Sequence, residues 1–290
     1  MRGFLPALSG LLLLVTPGQT PAFLPQTPLA ASTTPAPAAK PQAALTPVGN
    51  HKTLRMAFYQ GPGAALDATK SLAFKAFQKN PNLAVKIVSP EDIRAGKLAD
   101  FDVLVQSGGS GGGQGKALEE EGRERIRTFV KGGGGYIGIC AGSYLASCDY
   151  PWSLNIINAH VLDKKHWARG TGPVDVAFTP QGQQQLSVAG DNLTIQYGQG
   201  PLLAPAEDTK LPPYEPWAKY EGEIALKGAP KGVMPGTTAV AAAPYGSGRV
   251  VCFSPHPEKT AGQESLLHRA VLWATRTAPT PTPDTTKPAR

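Results

Sequence analysis

The 290-residue chain is poor in cysteine and in charge: it contains only 3 cysteines, and charged residues make up 17% of it. Three thiols cannot all pair within one chain, so at least one is left free or joins another chain, which is unlike the disulfide-rich class of small secreted domains. The formal charge is +7, but three positive charges lie before residue 53 and a net one lies after residue 276, which leaves +3 for the residues between. These residues have no stripe of Lys and Arg interleaved with aromatics, so we predict that the protein does not bind nucleic acid.

Both ends of the chain differ in composition from its middle. Residues 1–52 contain no Asp or Glu, and Arg2 precedes an apolar run of signal-peptide length at residues 4–15 that is short for a bilayer span. We expect a signal peptide at residues 1–24, an extended Pro/Ala-rich linker at 25–52, a folded domain at 53–276 and a disordered Pro/Thr-rich tail at 277–290. The predicted location is periplasmic or extracellular, and a membrane tether through an uncleaved N-terminus stays open.

Between residues 53 and 276, predicted strands and helices alternate. Strands are expected at residues 54–59, 84–89, 102–106 and 135–139, and helices at 65–79, 90–96, 116–130 and 142–148. Continuous apolar runs such as Val103-Leu104-Val105 are typical of parallel strands that are buried on both faces. The pattern therefore predicts an α/β fold, doubly wound, with a mostly parallel sheet and helices on both faces.

From residue 152 to 245 the pattern changes to short strand-like pieces that are separated by Gly and Pro. This spacing predicts an antiparallel extension at one edge of the sheet. The strand expected at residues 249–253 then returns to the central sheet, and a helix at 263–275 closes the domain.

A glycine-rich stretch, residues 107–115, is predicted as a loop after the strand at 102–106. It fails the spacing of a phosphate-binding P-loop, because Ser110 and Ala117 stand where Gly and Ser or Thr are required. The dinucleotide-like spacing at residues 133–138 precedes a strand instead of following one, so no cofactor is predicted. The loop is placed to offer bare backbone N–H groups at the edge where open α/β sheets bind ligands, and an ordinary flexible linker is the alternative.

Two strings carry the parts of a cysteine-centred acyl-transfer site. Cys140 follows an apolar strand in a Gly-x-Cys-x-Gly turn, which exposes a nucleophile at the start of a helix, and the N–H of Ala141 is a predicted oxyanion donor. His256 and Glu258 follow the strand at 249–253, as a base and an orienting acid. The alternative is that Cys140 is a small buried residue and His256 a core histidine with satisfied hydrogen bonds.

Other reactive residues are interpreted as structural. Cys148 and Cys252 are expected to be small buried hydrophobes. His160, Asp163 and His166 lie within seven residues of one another, but a solvated turn is favoured over a metal site, and no metal is predicted.

These strings resemble a known superfamily. Cys140 in its Gly-Ile-Cys-Ala-Gly turn, Ser107-Gly108-Gly109 and Ser-Pro-His256-Pro-Glu258 are similar to the three signatures of the class I glutamine amidotransferase-like superfamily. Within it, the Cys-Ala-Gly-Ser-Tyr and Tyr-Gly-Gln-Gly-Pro (197–201) strings and residues 248–258 most resemble the domain at the N-terminus of eukaryotic-type biotin-protein ligases and in free-standing bacterial proteins. The resemblance spans residues 54–274.

The resemblance implies a flavodoxin-like sheet and a Cys-His-Glu triad. It makes Cys140 the nucleophile, His256 the base and Glu258 the orienting acid, and it makes Gly108 and Gly109, with Ala141, the oxyanion donors. Ser143 and Tyr144 stand where glutaminase members carry a His and a Gln or Glu, so glutamine itself is not implied as substrate.

The expected function is an exported, free-standing hydrolase of amide or acyl bonds that acts on a small-molecule or peptide amide. A catalytically silent ligand-binding or scaffold module that uses the same pocket is the alternative. The sequence does not predict an oligomeric state.

Overall fold

The structure is a computed structural model that describes residues 53–207 and 210–276. The predicted signal peptide (1–24), linker (25–52) and tail (277–290) lie outside the described residues. Within those residues, no helix combines the length and the apolar character that crossing a bilayer requires.

Strands and helices alternate through the first half of the described chain. The strands are β1 (Leu54–Tyr59), β2 (Leu83–Val88), β3 (Val103–Gln106), β4 (Gly135–Ile139), β5 (Ala159–Leu162), β6 (Thr171–Phe178), β7 (Asn192–Gly198), β8 (Leu202–Pro205), β9 (Glu215–Tyr220), β10 (Thr238–Tyr245) and β11 (Gly248–Phe253). The α-helices are α1 (Leu72–Gln78), α2 (Pro90–Arg94), α3 (Gly111–Lys131), α4 (Ala141–Ala146), α5 (Pro180–Leu186) and α6 (Glu264–Ala274).

All of these strands belong to one mixed sheet. Its main path runs β2-β1-β3-β4-β11-β10-β9-β6-β7, and β8 pairs with β10 and with β5. The strands from β2 to β11 along this path pair in parallel, and β10 turns the sheet into an antiparallel extension. The α/β class and the antiparallel extension agree with the sequence prediction.

Two apolar cores lie on opposite faces of the parallel strands, because successive side chains of a strand point to opposite faces. In β3, Val103 and Val105 join the core that is covered by α1 and α6. Leu104 joins the other core, which is covered by α2, α3 and α4. Both faces of β3 are therefore buried, as its continuous apolar run predicts.

The glycine-rich stretch is helical over most of its length. Helix α3 begins at Gly111, so the predicted loop over residues 111–115 was wrong, and the helix is interrupted at Glu119, whose φ and ψ are 57° and −176°. Ser110 caps the helix, because its hydroxyl accepts a hydrogen bond from the Gly113 N–H (3.1 Å). A methyl group at Gly111 would meet the Tyr144 Cβ at 2.9 Å, so the glycine serves close packing.

The predicted helix at residues 65–79 is shorter than expected. Ala64 forms an isolated antiparallel bridge with Gly109, and the α-helix begins only at Leu72, after Ser71, whose hydroxyl accepts from the Phe74 N–H. Between the bridge and α1 the chain forms a short 3₁₀ helix (Ala68–Lys70) that Asp67 caps, so the α-helix does not extend back to residue 65.

Trp217 anchors the antiparallel extension. It is fully buried in β9, and its ring meets Trp273 of α6 edge to face, with 4.8 Å between the ring centroids. Truncating a buried Trp removes a large apolar area and leaves a cavity.

We expect Trp217→Ala to lower the free energy of unfolding by about 3–5 kcal/mol in urea denaturation. Trp167→Ala is the matched control, because Trp167 is 55% exposed, and its change should stay within about 0.5 kcal/mol. Equal effects of the two substitutions would contradict the role of Trp217.

Candidate active site

Cys140 stands in a strained turn between β4 and α4. Its φ and ψ are 52° and −100°, a conformation that a residue with a Cβ rarely adopts. Strain of this kind persists only where the surrounding structure enforces it, and it collects at functional sites. The predicted strand–turn–helix around Cys140 is therefore present in the structure.

Close packing of glycines enforces this turn. A methyl group at Gly138 would lie 2.7 Å from the Gly142 backbone, and one at Gly142 would lie 2.1 Å from the Gln106 carbonyl oxygen. The Cys140 N–H donates to the Phe253 carbonyl (2.8 Å), which ties the turn to the end of β11. These contacts hold the thiol at the carboxyl edge of the parallel strands.

The same edge carries His256 and Glu258, two and four residues beyond Ser254. The His256 Nδ1 lies 2.6 Å from the Glu258 Oε1, and both side chains are buried. The backbone N–H of His256 donates to the backbone carbonyl of Gln196 (2.8 Å), so β7 fixes the backbone of the histidine. Since Nδ1 faces Glu258, Nε2 is the ring nitrogen that remains to exchange a proton with another group.

The environment of His256 favours its protonated form. Burial lowers the pKa of the imidazole, but the Cys140 side chain and the hydrogen bond and charge of Glu258 outweigh burial and raise this pKa to about 9. His256 therefore carries a proton at neutral pH in the folded protein. An imidazolium beside a thiol is the arrangement that favours a thiolate.

Two glycines enclose the imidazole. A methyl group at Gly108 would lie 3.1 Å from the His256 Cε1 and 3.9 Å from the Cys140 Cβ. One at Gly198 would lie 2.7 Å from both Nε2 and Cδ2. The Gly198 carbonyl also accepts a hydrogen bond from the Cys140 thiol (3.4 Å). Gly198 thus contacts both the thiol and the imidazole, which brings Cys140 and His256 together.

Two of the three predicted oxyanion donors lie beside the thiol: Ala141 follows Cys140 in the chain, and a methyl group at Gly108 would lie 3.9 Å from the Cys140 Cβ. Ala141 is the first residue of α4, and a first-turn N–H has no acceptor within its helix. Gly109 has a φ of 138°, and its bridge with Ala64 uses the Gly108 carbonyl and the Ser110 N–H, so the Gly109 N–H takes no part in it. The role of the Gly108, Gly109 and Ala141 amides as oxyanion donors stays a prediction.

The remaining reactive residues have structural partners. Burial raises the pKa of Cys252 to about 12, so this thiol stays protonated. The Cys148 thiol is half-buried and donates to the Ala159 carbonyl (3.3 Å). The Asp163 Oδ1 lies 2.6 Å from the His166 Nδ1, and no group of three His, Cys, Asp or Glu within residues 53–207 and 210–276 is arranged to hold a metal ion.

The segment from Tyr197 to Gly200 forms a wall of the site that the sequence did not reveal. The Tyr144 hydroxyl donates to the Gln199 carbonyl (3.3 Å), and the Tyr197 hydroxyl donates to the Gly200 carbonyl (2.8 Å). Gln199 itself has a φ of 67°. The Tyr-Gly-Gln-Gly-Pro string was visible as part of a resemblance, but its position opposite Cys140 depends on the pairing of β7 with β6.

A family model described as "Biotin-protein ligase, N terminal" matches residues 54–275. The chain belongs to this biotin-protein ligase N-terminal family. The recognition made from the Cys140 and His256 strings is thereby confirmed. No curated protein matches the chain.

Solved structures support the fold. The chain is similar to a putative ThuA-like protein from Bacteroides uniformis (TM-score 0.52, 13% identity, 79% of this chain and 95% of that one). It is also similar to one from Parabacteroides merdae (TM-score 0.51, 13% identity, 82% and 95%). At this identity the likeness shows the mixed α/β fold alone.

In this family member, we expect Gly198→Ala to displace His256. The new methyl group would clash with the ring, so the NMR titration of His256 should move toward the ordinary value of about 6.5 and stability should fall by about 1–3 kcal/mol. Gly112→Ala is the matched control, since its methyl group would only touch the Trp152 ring at 3.4 Å. An unchanged His256 titration in Gly198→Ala would contradict the enclosure.

The raised pKa of His256 also predicts a pH dependence of stability. Protonated His256 stabilises the folded state fully below about pH 6.5, and this contribution is lost as the pH rises through about 9. Urea denaturation of wild type should therefore lose up to about 3 kcal/mol more than His256→Gln between these pH values.

The matched control is His268→Gln. Burial lowers the pKa of His268, so its contribution to the free energy of unfolding changes with pH on the acid side, below about pH 6.5. Parallel alkaline curves for wild type and His256→Gln would show that the His256 pKa is not raised.

Proposed function

We propose that this protein is a cysteine-dependent hydrolase of amide or ester bonds, with Cys140 as nucleophile, His256 as acid and base, and Glu258 as the residue that orients the imidazole. The observation that carries this proposal is that Gly108 borders both the His256 ring and the Cys140 side chain, while the His256 Nδ1 lies 2.6 Å from the Glu258 Oε1. A nucleophile, a base and an orienting carboxylate in contact are the minimum of such a site.

The reaction follows from the protonation of His256. Its raised pKa keeps a proton on the imidazole at neutral pH, and this proton comes from the thiol in the reactive form of the pair. The Cys140 sulfur attacks the carbonyl carbon, and the carbonyl electrons move to the oxygen. As the bond to the leaving group breaks, the His256 Nε2 gives its proton to the leaving nitrogen or oxygen.

Hydrolysis of the acyl-enzyme uses the same groups in reverse. Water attacks the acyl carbon while His256 takes one of its protons, and the bond to sulfur breaks to restore the pair. The amides of Ala141, Gly108 and Gly109 are the proposed donors to the oxyanion in both steps, and each donor is worth about 100-fold in rate.

Ser143 bears on the substrate class. Its hydroxyl donates to the Phe253 carbonyl (2.8 Å) and is fully buried, so it serves the fold of the turn and is not directed at a ligand. Glutamine is therefore not proposed as the substrate.

We also infer that the parallel part of the sheet is a flavodoxin-like, doubly wound unit. The order β2-β1-β3-β4-β11 is the 2-1-3-4-5 order of that architecture, in which ligands bind at the carboxyl ends of the strands. Export to the periplasm or outside the cell is proposed on the composition of residues 1–52.

One observation favours the second candidate, a silent binding or scaffold module. The Cys140 side chain is buried, with 6% exposure for the residue, and its thiol donates to the Gly198 carbonyl. A thiol that is buried and engaged by a backbone carbonyl is held in the fold, and a site of this kind can bind a ligand without turnover.

Alkylation distinguishes the two candidates. We expect iodoacetamide to modify Cys140 about tenfold faster than Cys148 near pH 7, measured by mass mapping, although Cys148 is the more exposed residue. His256→Ala should remove this preference, because it removes the cation that favours the thiolate. His268→Ala, which alters another largely buried histidine, should leave it unchanged.

Slow modification of Cys140, no faster than that of Cys148, would refute the proposed nucleophile. An activated ester then separates hydrolase from binding module, because only the hydrolase forms a trapped acyl group on Cys140 and releases it with time. Cys148→Ala should keep both steps, and Cys140→Ala should lose both.

A further inference from the structure

Arg169 is a buried cation close to the candidate active site. Its side chain is 1% exposed, and its Nη2 lies 2.5 Å from the Asp163 Oδ2. Its Nη1 is buried and has no hydrogen-bond partner among residues 53–207 and 210–276. A buried guanidinium N–H without an acceptor is costly, and such groups in folded proteins call for an explanation.

Asp163 does not supply the missing acceptor. Its Oδ2 faces Arg169 and its Oδ1 faces the His166 Nδ1, at 2.5 and 2.6 Å. Both carboxylate oxygens are therefore engaged, and the Arg169 Nη1 is left with its hydrogen-bonding capacity unused.

Strand pairing positions Arg169 beside the site. Thr171 of β6 is paired with Gly198 of β7, the residue that contacts the thiol and the imidazole. Arg169 lies two residues before Thr171, and Gly200 lies two residues after Gly198, so the antiparallel arrangement directs Arg169 toward the segment from Gly198 to Gly200.

Two tyrosines lie within reach of both Arg169 and Cys140. Burial raises the pKa of Tyr144 and of Tyr197, and the charge of Arg169 acts on both hydroxyls in the opposite direction. The Cys140 side chain also acts on both hydroxyls. The guanidinium and the thiol are therefore both close enough to these two hydroxyls to act on them electrostatically.

Arg169 lies close below the surface. Trp167, two residues before it, is 55% exposed, and Leu226, whose N–H donates to the Arg169 carbonyl (2.8 Å), is 57% exposed. The segments next to Arg169 in the chain and hydrogen-bonded to its backbone therefore both reach the surface, although the guanidinium itself is buried.

We propose that Arg169 binds a carboxylate of the substrate, so that the Cys140 site acts on amides or esters that carry a carboxylate group. A carboxylate is a planar acceptor that matches the guanidinium and satisfies the unused Nη1. This inference rests on the proposed function for its reaction, but the anion site can be tested without turnover.

Two alkylating reagents of nearly equal size form the first test. Iodoacetate carries a carboxylate and iodoacetamide is neutral, and with both the Cys140 sulfur displaces iodide. We expect the ratio of the iodoacetate rate to the iodoacetamide rate at Cys140 to fall about tenfold in Arg169→Gln, the size of one charge-assisted hydrogen bond. The ratio at Cys148 is the internal control and should not change.

Asp163→Asn gives the opposite change and guards against a folding defect. It removes the carboxylate that offsets the charge of Arg169, so the ratio at Cys140 should rise above that of wild type. Rapid iodoacetamide labelling of Cys140 with the same ratio in wild type, Arg169→Gln and Asp163→Asn would overturn the assignment of Arg169 and leave the proposed nucleophile standing.

A binding measurement covers the case in which Cys140 does not react. Sodium acetate should shift the Arg169 side-chain NMR resonance in a saturable way in wild type and in Cys140→Ala, while sodium chloride at equal ionic strength should not. Slow labelling together with a saturable acetate shift would refute the hydrolase and retain the anion site. No acetate shift would refute the anion site.

Discussion

The hydrogen bond from the Cys140 N–H to the Phe253 carbonyl (2.8 Å) is the contact on which the candidate site depends. It continues the parallel ladder of β4 and β11, in which Ile139 is paired with Phe253. Because the two strands run in the same direction and are in register, both chains leave the sheet at one edge. The Cys140 thiol after one strand and the His256 imidazole three residues after the other therefore lie at the same edge of the sheet.

The meeting of these groups requires bare backbone around them. Cys140 has an unfavourable φ, and Gly138, Gly142 and Gly198 each lie where a methyl group would collide with a neighbouring backbone or with the imidazole. Such strain and the burial of His256 and Glu258 cost stability, which the rest of the fold must offset. The two apolar cores on either face of the parallel strands hold these strands rigidly in place. The geometry of the site therefore depends on the packing of the fold.

Sequence patterns predicted those parts of the structure that local chemistry decides. Cys140 and His256 each follow a strand whose apolar run is readable, and the carboxyl edge of a parallel sheet brings such residues together. The predicted start of α3 was wrong. The glycines among residues 111–115 are helical because they pack against Tyr144 and Trp152, and this packing outweighs the low helix propensity of glycine. Gly198 and Arg169 were missed because they reach the site through the pairing of β6 with β7, and no local pattern specifies which strands of an antiparallel extension lie beside the thiol.

Two buried ion pairs lie near the thiol. His256 is paired with Glu258, Arg169 is paired with Asp163, and in each pair one buried atom, the Glu258 Oε2 or the Arg169 Nη1, has no hydrogen-bond partner among the described residues. In each pair the carboxylate offsets the charge of its cation, so the pair keeps one hydrogen-bonding atom rather than a net charge for another group. On the proposed function, a thiolate and a substrate carboxylate repel each other at close range, so the proposed carboxylate site has to lie apart from the sulfur. Cys140 and Arg169 both act on Tyr144 and Tyr197, so on the proposed function these two rings lie near both the thiolate and the carboxylate of the substrate.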